Sequence, residues 1–176
     1  MNKQFILASV LSAFTGLVSA QVVGGGSMGV TADIQGSILV TFISDGAGLA
    51  VTGTGTSAAT LPFASEQMYG GTPATGVTKV LNGVTSFTLS TPVDVRVDIA
   101  NSASATYTLA ASLTTADTHH TFTFNSVALT AVAQTVDSTG GYAAPNAYPF
   151  VLTVPAASNG AANTVSNTIN FTAVGG

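Results

Sequence analysis

The sequence predicts an all-β protein, a two-sheet antiparallel β-sandwich of about eight or nine strands. Three observations carry that expectation. Apolar side chains recur at a period of two, as in Val93, Val95, Val97 and Ile99 against Asp94, Arg96 and Asp98, which is the signature of a strand with one buried face. Clusters of Gly, Pro and Asn separate these stretches at short intervals, the spacing of a sandwich and not of alternating strands and helices. No amphipathic helical pattern occurs after the first twenty residues, and the Ala-rich stretches are interleaved with Thr and Val, which suit a pleated surface.

The elements follow in order. Residues 1–20 hold Lys3, an apolar run from Phe5 to Val18, and small side chains at Val18-Ser19-Ala20. This is the plan of a secretory signal, too short and too interrupted to span a bilayer, and it predicts a mature chain starting at Gln21 with no transmembrane segment. Residues 21–29 are glycine-rich and uncharged and read as a flexible lead, leaving residues 30–176 for the sandwich. Val30, Ala32, Ile34, Ile38, Val40 and Phe42 share one parity, so residues 30–43 read as the first strand with Gly36 as a bulge or bend. From Ser44 to Gly76 the pattern loosens into long loops with a short strand near residues 50–54. Asn82-Gly83 between two apolar runs predicts a two-residue hairpin, and Pro92 is expected to break the pairing before the strand at residues 93–99. Tyr107, Leu109, Ala111 and Leu113 continue the alternation, as do Phe122 and Phe124. Tyr148, Phe150, Leu152 and Val154 form a strand in which Pro149 marks an edge or a beginning. Val165, Ile169, Phe171 and Ala173 share a face of the last strand.

Charge is scarce. Lys3, Lys79 and Arg96 stand against Asp33, Asp45, Glu66, Asp94, Asp98, Asp117 and Asp137, 6% of the chain against roughly 25% in an average protein. Ser and Thr supply a quarter of the residues and most of the polarity. Nucleic-acid binding is excluded as a function class, because phosphate neutralisation needs clustered Lys and Arg and this chain carries a net charge of −4. Ile, Leu, Val and Phe exceed a quarter of the residues, too many for a disordered acidic chain. The absence of cysteine removes disulfides, thiolate nucleophiles and thiolate metal ligands, so packing alone must hold the domain.

Few residues are suited to chemistry. Asp117-Thr118-His119-His120 has the side chains of a metal site. Neighbouring residues on a strand point to opposite faces, however, so the motif reads as a solvated turn and no metal is expected. Asp94, Arg96 and Asp98 read as an exposed ladder of ion pairs and not as a paired-carboxylate hydrolase, which needs a cleft. No Gly-x-Ser-x-Gly or Walker loop occurs, and Gly24-Gly25-Gly26 lacks the flanking strand and helix of a phosphate cradle. Asn170-Phe171-Thr172 matches a glycosylation sequon around a side chain assigned to the core. The inventory predicts no catalytic residues and no cofactor, hence a protein that is not an enzyme.

The C-terminal half has a wider likeness. Tyr148-Pro149-Phe150-Val151-Leu152-Thr153-Val154-Pro155, a small-polar loop, and Asn167-Thr168-Ile169-Asn170-Phe171-Thr172-Ala173 resemble the last hairpin of spore coat protein U-like secreted domains and of chaperone-usher pilin-like subunits. The valines from Val93 and the run Ala105-Thr106-Tyr107-Thr108-Leu109 are similar to the central strands of that family. The resemblance implies an immunoglobulin-like sandwich carried by a periplasmic chaperone and an outer-membrane usher into a surface fibre, a homopolymer built by strand donation. Met28, Val30, Ala32 and Ile34 would then be the donated residues, and Val165, Ile169 and Phe171 part of the acceptor groove. The same residues at 28–34 also read as the first strand of their own sandwich. Two departures stand out, the missing cysteines and an end, Val174-Gly175-Gly176, without a terminal aromatic. The alternative function is a monomeric secreted module that binds carbohydrate or another surface ligand on the same fold.

Overall fold

The computed structural model describes residue 29 and residues 31–33, 35–156 and 165–176. The chain divides into two compact units, Met1–Asp33 and Ile34–Gly176. In the first, Gly29, Thr31, Ala32 and Asp33 are exposed and belong to no strand. Residues 1–20, read from sequence as a secretory signal, and Met28, Val30 and Ile34 lie outside the described residues.

The second unit is an antiparallel β-sandwich, with nine strands and no helix among the described residues. They are β1 (Ser37–Ile43), β2 (Thr78–Asn82), β3 (Ser86–Ala100), β4 (Thr106–Leu113), β5 (Thr121–Phe124), β6 (Val127–Ala128), β7 (Gln134–Gly141), β8 (Pro145–Pro155) and β9 (Ile169–Gly175). One sheet has six strands in the order β1-β3-β8-β5-β6, with β2 also paired to β3. The other has three, β7-β4-β9. Alternation sets which side chains enter the core. Phe87, Leu89, Val93, Val95 and Val97 of β3 are buried, as are Tyr107, Leu109, Ala111 and Leu113 of β4 and Tyr148, Phe150, Leu152 and Val154 of β8.

Several expectations need correction. The first strand starts only after Gly36, and the stretch near residues 50–54 forms isolated bridges, Phe42 with Thr56 and Thr52 with Thr60, in place of a strand. The β2–β3 hairpin has a three-residue turn, because Asn82 pairs with Ser86 and only Gly83 takes a left-handed φ (65°). A two-residue type I′ turn needs positive φ at both central positions. Pro92 does not break β3. It pairs with Pro149 of β8, and on the other edge it falls between β2, which ends its pairing at Ser90, and β1, which begins at Asp94. A residue without an N–H is tolerated where no partner strand needs that donor. Pro149 likewise lies inside β8, one residue past the pairing of β5, which stops at Phe150.

A polar relay ties the two sheets together through the core. Asn146 donates to the Tyr107 hydroxyl (2.9 Å), the Tyr107 and Tyr148 hydroxyls are 3.2 Å apart, and Tyr148 donates to Asp137 Oδ2 at 2.6 Å. Burial first, then the bond to Asp137, raises the Tyr148 pKa. Gly140 is required beside this relay, since a Cβ there would sit 2.1 Å from the Tyr107 ring.

Candidate functional site: an apolar cleft beside the last strand

A six-stranded sheet facing a three-stranded one has more inner surface than its partner covers. The uncovered part forms a cleft of about 1570 Å3. Its floor is the inner face of the large sheet, with Phe87 and Leu89 from β3, Phe122 from β5, and Phe150, Leu152 and Val154 from β8. One wall is the chain entering β9, where Val165, Ile169 and Phe171 are half-buried and line the space. The other wall comes from the β1–β2 connection, through Leu61, Phe63 and Met68. Rings close one end, with Phe171 edge-on to Phe42 at 5.1 Å and to Phe124 at 5.0 Å.

β9 pairs with β4 along one edge over all seven residues, and among the described residues nothing pairs its other edge. An unpaired strand edge exposes backbone donors and acceptors in ladder spacing. Of β9, Ile169, Asn170 and Phe171 line the cleft, so at that end of the strand an edge without a partner among the described residues lies next to apolar side chains.

The sequence placed Val165, Ile169 and Phe171 on one face, and all three border the cleft, although Val165 precedes β9. Of the residues assigned to donation, Ala32 is exposed, and Met28, Val30 and Ile34 fall outside the described residues. The second wall was not legible. Leu61, Phe63 and Met68 stand in a Pro- and Gly-containing loop without period, and their apolar character was the only available signal.

The polar clusters lie elsewhere. Asp117 caps its own turn, its Oδ1 accepting from the backbone N–H of His119 (2.8 Å) and His120 (2.7 Å), while His120 Nδ1 lies 3.0 Å from Asp117 Oδ2. The turn is less solvated than expected, since the His120 side chain is 9% exposed and that of Asp117 13%. Burial raises the Asp117 pKa, but the bonds from His120 and His119 outweigh it and hold the pKa at about 2. The two imidazoles do not converge, and His119 Nδ1 contacts Thr118 Oγ1 instead. On β3, Arg96 binds Asp98 at 2.8 Å as expected. Asp94 instead faces Asp45, and burial followed by that neighbouring carboxylate raises its pKa.

Compared with known proteins, the chain matches no protein-family model and no curated protein.

Proposed function

We propose that this protein is a non-enzymatic structural subunit of an extracellular or cell-surface fibre, pilin-like in its assembly, in which each copy lends an N-terminal strand to the cleft of the next. The observation that carries the reading is the edge of β9, unpaired among the described residues, beside a cleft floored by apolar side chains. Residues 28–34 match that edge in length, seven residues against the seven of β9, or roughly 23 Å of strand at ~3.3 Å per residue. Met28, Val30, Ala32 and Ile34 alternate with Gly29, Thr31 and Asp33, so one face would meet the floor and the other would meet water. Burial at ~25 cal/mol per Å2 adds to a ladder of backbone hydrogen bonds, and neither contribution needs charge. The scarcity of Lys, Arg, Asp and Glu fits this, since little self-repulsion opposes packing of like copies. The secretory signal is consistent with work outside the cell. An open core edge needs cover before assembly, and a periplasmic chaperone and an outer-membrane usher are the partners suited to supply it.

Deletion of residues 21–34 from the mature chain is the test. The intact chain should sediment as a polymer and form filaments by negative-stain microscopy, and the deletion should sediment as a monomer. Filaments from the truncated chain would rule out the donor role.

A further inference from the structure

We infer that copies of this chain make a second, head-to-tail contact, in which the β2–β3 hairpin tip of one copy seats in a hollow at the opposite end of the next. The inference rests on the strand-donation reading for the filament itself, while the two surfaces are described without it.

The hollow lies where β3 ends. It has a volume of about 580 Å3, is lined by residues that include Gly36, Ser102, Ala103, Ser104, Gly175 and Gly176, and carries no charged side chain. Its rim is fixed, since Ser104 Oγ lies 2.7 Å from the Gly176 carbonyl oxygen and the Gly176 N–H donates to the Thr106 carbonyl (3.0 Å). The hairpin lies where β3 begins, at the other end of a strand of 15 residues, roughly 45 Å away at ~3.3 Å per residue. It exposes Val84 (74%), Val80 (50%) and Leu81 (47%). Exposed apolar side chains gathered on one turn, unlike scattered ones, mark a contact surface.

Chain length brings the two together. Gly36 lines the hollow and stands two residues after Ile34, the last residue of the donated strand. Each residue spans at most ~3.6 Å, so a seated strand holds its own hollow within about 7 Å of the end of the cleft it fills. On the receiving copy the cleft reaches the hairpin, because Ala156 lines it and donates its N–H to the Thr85 carbonyl (2.7 Å), next to Val84. Symmetry selects this end over the other. A hollow set against the neighbour's hollow is a self-complementary contact and closes as a dimer, whereas a hollow set against a hairpin joins unlike surfaces and leaves both ends of the pair free to add copies. The donated strand then runs antiparallel to β9, whose own last residue, Gly175, lines the hollow.

The chain has no cysteine, so a pair of introduced ones reads the contact directly. Val84 and Ala103 are both exposed. Val84→Cys and Ala103→Cys, combined in one mature chain, should be joined in assembled filaments by a short bis-maleimide into a ladder of dimers, trimers and longer species on denaturing gels. Either variant alone should stay at the monomer. Val84→Lys, at an open turn position, should raise the concentration needed for half-maximal sedimentation at least threefold. Filaments that give no ladder, or that assemble at the wild-type concentration with Val84→Lys, overturn the hairpin contact and leave strand donation standing. Dimers from Ala103→Cys alone mean that hollow meets hollow, and they overturn it as well. A ladder that persists after deletion of residues 21–34 supports the contact and removes strand donation. An intact mature chain that stays monomeric and gives no ladder removes both.

Discussion

Asp117 and Asp94 are carboxylates held in opposite ways, and pH separates them. The Asp117 pKa is about 2 in the fold against an ordinary value of 3.8, so the charged form is bound more tightly in the native state. Its contribution is fully present above pH 4 and is lost as pH falls from 4 toward 2. Asp117→Ala should lower stability at neutral pH by about 1–2 kcal/mol, a figure discounted for water at the rim, and the gap to wild type should close by pH 2 in thermal melts. Asp94 has the reverse sign. Its raised pKa means that the native state prefers the proton, so the stabilisation is complete below pH 3.8 and fades as the group ionises beside Asp45. Asp94→Asn should therefore raise the melting temperature at pH 7, with the advantage shrinking on acidification to pH 3.

β3 organises one edge of the molecule. Two strands share the side of β3 away from β8, and the β1–β2 connection leaves and returns at the interruption between them, at Pro92. There the two ends of that connection cross on glycines: a Cβ on Gly48 would sit 2.4 Å from the Pro92 carbonyl oxygen, and one on Gly76, at φ 81°, 2.1 Å from the Gly48 backbone. Gly76→Ala meets both a steric and a conformational penalty and should cost about 2 kcal/mol or more, read by denaturant unfolding, whereas Gly46→Ala in open space should cost little. Local pattern explains which strands were legible. β4, β5 and β8 alternate cleanly and were found. β7 was missed, because QTVDSTGG buries only Val136 and Gly140 and its pairing with β4 slips register near Leu109. Pro92 misled because a proline reads as a break in sequence, while its cost depends on which edge its absent donor faces.

For the whole molecule, the sandwich was legible because period-two alternation encodes a buried face within a few residues. The cleft was not. It follows from the mismatch between a six-stranded and a three-stranded sheet, a long-range outcome of pairing that no local pattern records. Half of the site was still accessible, since Val165, Ile169 and Phe171 share a parity, whereas the wall from Leu61 to Met68 depends on tertiary placement. The same mismatch predicts the response to removing the ring that closes the cleft. Phe171→Ala should cost about 3 kcal/mol in chemical denaturation, because Phe42 and Phe124 both lose their edge-on partner.

The relay from Asn146 through Tyr107 and Tyr148 to Asp137 has a mechanical consequence. Two sheets packed only by aliphatic and aromatic side chains can slip past one another, because apolar contact has no preferred direction. Hydroxyl bonds do, and here they join β4 and β7 of one sheet to β8 of the other. In the fibre proposed above each subunit would be pulled along its length by its neighbours, and such a bolt would resist the sliding that tension imposes.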